Sequence, residues 1–345
     1  MRYALTPVDA RCPACDSRDA ELLYDITPEL VAQHFRPREA EPDLHDALRA
    51  HVAALWGGAG RMVRCRACGL GFCDPFVAGD HRFYDLVFEP SYGYPQARWE
   101  FGRTRDVLDA LWGTSWAGRR ILEVGGGDGA FLRTVLGSRI APEAVTAFEY
   151  SPGALDRLRA LGVDARDQDL RDAPAEHDDR YDAVLLFQVF LHFDRLDDVM
   201  AALHRVSRPG AAVFVSVPGD ARIAFNEQNG SQLDLPPMQA TRWTAAAFEA
   251  LGARHGFALV RHELEPEPWT NRVREYATYR YLNRRMIPGT LENRAERVGR
   301  GPLRKALRVA LAASNLVRCL PTVVRMARRR DIGGSQWIEW RRDAA

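Results

Sequence analysis

Long apolar runs are missing from this chain of 345 residues. No stretch approaches the roughly 18 consecutive apolar residues that a membrane span needs, so no spanning helix is expected. The opening Met1-Arg2-Tyr3-Ala4-Leu5-Thr6-Pro7 has no apolar h-region, so no secretory signal is expected. Cysteine is scarce: six residues are too few for a disulfide framework in a chain this long. Four of the six stand in CxxC pairs, and a reducing cytoplasm is the expected setting. Lysine is nearly absent, with Lys305 alone among 47 basic residues, a bias of coding composition more than of chemistry. Internal repeats and low-complexity segments are lacking. What remains is 46% hydrophobic and 27% charged. That excludes a disordered tail, a collagen-like repeat and a small disulfide scaffold. The length allows a large core and suggests two domains.

A net charge of +1 hides an asymmetry. Residues 266–345 hold 18 basic and 7 acidic side chains, net +11, which leaves −10 on the rest. A basic segment suits an anionic partner such as nucleic acid, phospholipid or a phosphorylated substrate. The plainer reading is a solvated helical face complementing an acidic core, and it is preferred because prolines and apolar turns interrupt the charge.

The chain divides into a zinc-binding module with a helical insert (1–75), a linker or substrate-side segment (76–105), a β/α unit (106–265) and a basic helical insertion with a final strand (266–345). The first part opens with Cys12-Pro13-Ala14-Cys15 and closes with Cys65-Arg66-Ala67-Cys68-Gly69. Each pair puts two sulfurs on one turn, and two facing turns make a tetrahedral S₄ site suited to Zn²⁺. Such a site is structural, because four thiolates leave no open position for substrate. Cys73 is an alternative ligand. His34, His45 and His51 read as surface or packing histidines. Residues 27–35 and 42–56 read as helices, the first with Thr27 as N-cap and Pro28 at the first helical position.

Residues 106–264 alternate strands with helices. Strands are expected at 120–124, 144–148, 181–187, 211–217 and 256–262, and helices at 130–136, 152–161, 197–206 and 244–255. This order argues for an α/β fold with a doubly wound, Rossmann-like parallel sheet. A last strand is expected at 336–341, after the basic insertion.

Ile121-Leu122-Glu123-Val124-Gly125-Gly126-Gly127-Asp128-Gly129 carries the most chemistry. A strand ends in glycines that permit a tight turn and close approach of a ligand. Gly125, Gly127 and Ala130 also fit a dinucleotide fingerprint. Glu123 stands where that fingerprint has an apolar residue, and Gly129 completes a Glu-x-Gly-x-Gly-x-Gly run. The run resembles motif I of class I S-adenosylmethionine (SAM)-dependent methyltransferases. The resemblance implies that Glu123 positions the methionine amino end and that Gly125, Gly127 and Gly129 pass under the sulfonium.

It continues in order along the chain. Glu149, in Ala147-Phe148-Glu149-Tyr150, matches the carboxylate that accepts the ribose hydroxyls. Asp169 matches the acidic contact to the adenine amino group, with Asp167 as the second choice. Tyr181-Asp182 and Arg208-Pro209-Gly210 match further landmarks. Each has a plain alternative: Glu149 as a surface carboxylate, Asp169 as a helix cap, Asp182 as a structural residue.

The knuckles, Phe88-Glu89-Pro90-Ser91-Tyr92-Gly93-Tyr94 and the segment Leu186-Phe187-Gln188-Val189-Phe190-Leu191-His192 resemble a narrower group, the zinc-containing sugar C-methyltransferases. There Gln188 takes a common Asn position and His192 the group's His. The chain departs at Pro236-Pro237-Met238-Gln239, where that group carries a Tyr-His-x-His-like segment that takes a proton from carbon. None of these four side chains is a base at neutral pH, which points toward an oxygen acceptor.

His192 is then the candidate catalytic base, with an ordinary pKa of about 6.5; a helix-positioning histidine is the alternative. The expected activity is SAM-dependent methyl transfer to a small molecule or glycan, at oxygen rather than carbon. A nicotinamide-dependent oxidoreductase and a non-catalytic binding protein are the readings of other classes. Nucleic acid is not the expected acceptor, since no Asn-Pro-Pro-aromatic segment follows the fourth strand. The basic insertion, with Tyr276, Tyr279 and Tyr281, is expected to pack with residues 92–94 over the acceptor. Arg280, Arg284 and Arg285 are expected to favour an anionic acceptor.

Overall fold

The computed structural model describes every residue except 1, 2, 88–93, 229–233, 286, 288, 297, 299, 300, 330 and 345, and every side chain of the rest except those of Glu275 and Tyr279. The first sheet is antiparallel and five-stranded. Its strands are β1 (Thr6–Asp9), β2 (Asp19–Ile26), β3 (Gly60–Cys65), β4 (Gly71–Asp74) and β10 (Thr241–Arg242), adjacent in that order.

Helices α1 (Pro28–Phe35) and α2 (Pro42–Trp56) fill the gap between β2 and β3. The Leu30 amide donates to Thr27 Oγ1 at 3.1 Å, the N-cap bond the sequence called for. Gly57 ends α2 in the left-handed region, φ 64°, where a side chain would be strained. Leu48, Val52 and Trp56 recur at helical spacing and pack on Val31 and Ala32 of α1.

The second sheet has seven strands: β5 (Ile121–Val124), β6 (Val145–Phe148), β7 (Asp164–Arg166), β8 (Tyr181–Phe187), β9 (Ser207–Pro218), β11 (Phe257–Leu264) and β12 (Ser335–Arg342). Their spatial order is β11-β12-β9-β8-β5-β6-β7. Only β12 runs against its neighbours, β9 and β11. Strand β8 is a continuous apolar run because both its faces are covered. Val184 and Leu186 face one core, with α6 (Leu196–Val206) and α8 (Ala245–Arg254). Ala183, Leu185 and Phe187 face the other, with α4 (Trp99–Trp112) and α5 (Pro152–Ala160). The expected doubly wound α/β sheet is thus present.

The helix expected at 130–136 is instead one 3₁₀ turn, Leu132–Thr134. Thr134 and Ser138 donate their hydroxyls to the Phe131 and Val135 carbonyls, which competes with a regular helical ladder. Between β11 and β12 lie α9 (Trp269–Arg285), α10 (Leu291–Glu296), α11 (Pro302–Arg318) and α12 (Leu320–Arg328). Tyr276, Met326 and Ile332 of this insertion region pack on Phe225 of α7 (Asp220–Gln228). A short helix, α3 (His81–Val87), links the two sheets.

Candidate active site and metal centre

Strand order reverses between β5 and β8, and at such a switch point open α/β sheets bind ligands beyond the carboxyl ends of the strands. The glycine loop leaves β5 there. Gly125, Gly127 and Gly129 have φ of 70°, 53° and 77°. A Cβ on Gly125 would lie 2.3 Å from Val189 Cγ2, and one on Gly127 would lie 3.0 Å from the Tyr94 ring. The loop therefore needs glycine both for its backbone and for close packing.

The Gly127 amide donates to Glu149 Oε2 at 2.8 Å, while Glu149 Oε1 accepts from the Tyr150 and Ser151 amides. This fixes the Glu149 carboxylate at the end of β6 with acceptor capacity to spare for ribose hydroxyls. Glu123 is buried on β5, and its Oε2 has no hydrogen-bond partner among the described residues. Burial, then the nearby Glu149 and Asp128 carboxylates, push its carboxyl well above the usual range. An orphaned, buried acceptor among like charges fits an incoming ammonium, as the methionine end of SAM would supply.

Asp169 is differently placed. Oδ1 accepts from the Arg171 amide and Nε, and Oδ2 from Tyr150 Oη and Arg171 Nη2. Burial raises this carboxyl, but the bonds from Arg171 and Tyr150 hold it down at about 2. Its four acceptor directions are all taken, so it caps a 3₁₀ turn with nothing spare for adenine. Asp167 is exposed, and its side chain makes no hydrogen bond or ion pair among the described residues, which leaves it the freer carboxylate.

Gln188 sits at φ 59° just past β8. Its Nε2 donates to Glu100 Oε1 at 3.0 Å and to Ser335 Oγ at 3.1 Å. Beside it opens a cavity of about 370 Å³ lined by Arg98, Trp99, Glu100, Glu265 and Ser335 among others. Buried Glu100 also accepts from Ser216 Oγ at 3.2 Å. No motif flagged Glu100: it is a lone carboxylate in the first turn of α4. Gln96 was missed for the same reason. It donates to Asp128 Oδ2 at 2.6 Å and accepts from Arg133 at 2.6 Å, latching residues 94–96 to the glycine loop.

His192 ends a 3₁₀ turn after β8. Its Nδ1 lies 2.7 Å from the Met238 carbonyl, which can only accept, so the proton sits on Nδ1. The Tyr84 hydroxyl of α3 lies 2.8 Å from the same nitrogen. Nε2 keeps its lone pair and meets no partner among the described residues. Burial pushes the imidazole down to about 4, so it is neutral at physiological pH.

Cys12, Cys15, Cys65 and Cys68 bring their sulfurs within 4.8 Å of one another. The 3.6 Å separations Cys12–Cys68 and Cys15–Cys65 compare with about 3.8 Å between corners of a tetrahedron with 2.3 Å Zn–S bonds. The donor set fits Zn²⁺. Cys73 stays outside this group, with its thiol on the Val77 carbonyl. His51 pairs with Asp80, and buried His45 with the Arg36 carbonyl, both in structural roles.

The basic insertion differs from expectation. Arg284 is bonded to Glu292, Tyr281 to Glu296, and Tyr276 packs on Phe225. Tyr94 covers Gly127, whereas Tyr92 and the Tyr279 side chain lie outside the described parts.

Residues 97–264 match the family model for a methyltransferase domain. Nothing among curated protein sequences matches. Similar solved structures include a geranyl diphosphate C-methyltransferase from Streptomyces coelicolor A3(2), 14% identical, TM-score 0.42, covering 70% of this chain and 77% of that one. A SAM-dependent methyltransferase from Archaeoglobus fulgidus is 13% identical, TM-score 0.43, covering 70% and 94%. These likenesses are distant. Residues 97–264 thus match a methyltransferase domain, and they hold six of the seven strands of the doubly wound sheet.

Proposed function

We propose that the chain methylates a hydroxyl oxygen of a small molecule or glycan in a cytoplasmic biosynthetic pathway, with His192 as general base. The observation that carries this reading is the His192 tautomer: Met238 holds the proton on Nδ1, and Nε2 meets no partner among the described residues. SAM supplies a methyl group activated by the sulfonium, so the protein must align the acceptor and remove one proton. Glu123 would take the ammonium, Glu149 the ribose hydroxyls, and Gly125, Gly127 and Gly129 the close backbone approach. Gln188 holds Glu100 and Ser335 at the cavity wall. For adenine, Asp167 suits better than Asp169, whose oxygens Arg171 and Tyr150 occupy. Zn²⁺ on Cys12, Cys15, Cys65 and Cys68 would be structural, within a module at 1–75. Residues 76–105 then serve the substrate side, 106–265 bind SAM, and 266–345 form an outer insertion.

A C-methyltransferase is the second reading, favoured by the Tyr84 hydroxyl next to His192, a pair that could also take a proton from carbon. Calorimetry with SAM and with NADH comes first: NADH binding without SAM binding rejects both readings. Methyl-labelled SAM is then turned over with a panel of nucleotide-linked sugars and hydroxy acids. A carbon-13 methyl resonance in the methoxy range supports oxygen, and one in the alkyl range transfers the assignment to carbon.

A further inference from the structure

Helix α11 carries an apolar stripe on its outer side, and α12 extends that stripe while packing Val323 and Met326 inward. The polar side of α11 faces the protein: Arg304 and Arg308 bond Glu296, the latter at 2.7–2.8 Å, and buried Asn315 donates to Glu292 Oε1 at 2.8 Å. The Arg308 guanidinium bonded to it leads in holding Glu296 down at about 2, so this inner face stays ionised. The apolar side faces out. Leu303 is 65% exposed, Val309 65%, Val317 76% and Leu320 57%. Ala306, Ala310 and Ala313 are exposed between them. Positions 303, 306, 310, 313, 317, 320 and 324 alternate steps of three and four, which keeps one stripe on one face of each helix. An ordinary surface helix does the reverse.

The charge around the stripe has one sign. Residues 302–330 carry eight basic side chains and no acidic one. Lys305, Arg318, Arg325 and Arg328 are exposed beside the apolar residues. The two helices meet at 81°, and among the described residues no single helix is long and apolar enough to cross a membrane.

We propose that α11 and α12 lie on an anionic phospholipid surface. Their apolar stripe enters the acyl boundary, and their arginines meet the phosphate headgroups. Charge complementarity selects this occupant. A second copy of the chain would set one uncompensated row of cations against its equal, and like-charge juxtaposition works against such pairing. Nucleic acid would satisfy the cations but leave the valine and leucine stripe in water. A membrane surface answers both features at once, and it would bring the enzyme to a lipid-borne or membrane-dissolved acceptor.

The test is co-sedimentation of the full-length protein with two sets of vesicles, phosphatidylcholine alone and phosphatidylcholine with about one third phosphatidylglycerol. Partition to the anionic set should be at least about tenfold stronger, and should weaken with added salt. Val309→Asp with Val317→Asp should remove it, and Arg318→Glu with Arg325→Glu should remove the preference for anionic lipid. All four side chains are exposed, so thermal unfolding should stay near that of the wild type. Equal partition to both vesicle sets, or none, overturns the proposal. So does a double-Asp variant that still binds. A dimer seen by light scattering, or a shifted nucleic-acid band, without vesicle binding would hand the surface to that partner instead.

Discussion

Replacing Glu123 by Gln should make the protein more stable and bind SAM more weakly, a combination that separates a functional carboxyl from a structural one. Burial, then Glu149 and Asp128, raise the folded carboxyl above its ordinary value of 4.5. Above that pH the unfolded chain ionises while the fold keeps its proton. Stability is therefore fully present below pH 4.5 and is lost as pH rises toward the folded value, by about 1.4 kcal/mol per pH unit. Glu123→Gln keeps the shape and removes this dependence, so its advantage over wild type should appear above pH 4.5 and grow until folded Glu123 itself ionises. An ammonium against Oε2 reverses the preference, since the ionised form is then the bonded one. SAM binding should therefore release up to about one proton, seen as a calorimetric enthalpy that changes with the buffer's ionisation enthalpy. The variant should show no such dependence. It should lose one charge-assisted hydrogen bond, about 1.5–3 kcal/mol, or roughly ten- to 150-fold in affinity. A variant that is less stable than wild type at neutral pH, yet binds SAM equally and releases the same proton, would refute the reasoning.

Cys65→Ser should lose the metal by elemental analysis and lower the unfolding midpoint of the whole chain, because Cys12, Cys65 and Cys68 share one core with β8 and Trp340; metal-free wild type with four titratable thiols would remove the site. Gly125→Ala should cost about 2–5 kcal/mol in denaturant unfolding, from positive φ and a 2.3 Å approach to Val189, whereas Gly126→Ala meets only contacts of 3.4 Å or more and should be near neutral. Equal effects at the two positions would mean the loop is not held as described. His192, lowered by burial from 6.5 to about 4, contributes stability present above about pH 6.5 and lost as pH falls toward 4, so His192→Gln should flatten unfolding against pH in that window. The wild-type activity should stay on down to about pH 5, and an acid limb centred at 6.5 would count against His192 as the base.

The parts of the fold legible in the sequence are those with a strong local signal. Strand β8 is seven residues without a break in apolar character but Asp182, and α2 carries a proline at its start and a glycine at its end. The first sheet was not legible. Its strands run from two to eight residues, and β10 reaches β4 from more than 160 positions away, so no local pattern records the pairing. The site divides the same way. The glycine run and its two glutamates are written in order, but not that Arg171 and Tyr150 occupy Asp169, nor that a main-chain carbonyl at Met238 fixes His192. Residues 236–239 hold no basic side chain, and their contribution is made by backbone, which residue identity does not encode.

The basic insertion shows the limit in its sharpest form. Periodicity in 302–328 gives helices with an apolar stripe, and that stripe reads the same whether it faces core or solvent. What decides is where the opposite face finds its partners. Glu292 and Glu296 on α10 take Arg304, Arg308 and Asn315, and with that polar seam closed Leu303, Val309 and Val317 are left outward while Leu316 and Val323 pack inward. A net charge of +11 over residues 266–345 suggested an anionic acceptor held by Arg280, Arg284 and Arg285. Of those three Arg284 is bonded to Glu292, and with it the cations of α11 and α12 fall into two groups. Arg284, Arg304 and Arg308 neutralise buried or half-buried glutamates, while Lys305, Arg318, Arg325 and Arg328 border an exposed apolar stripe. The second group is exposed next to apolar residues, a pairing that favours a surface over a small molecule.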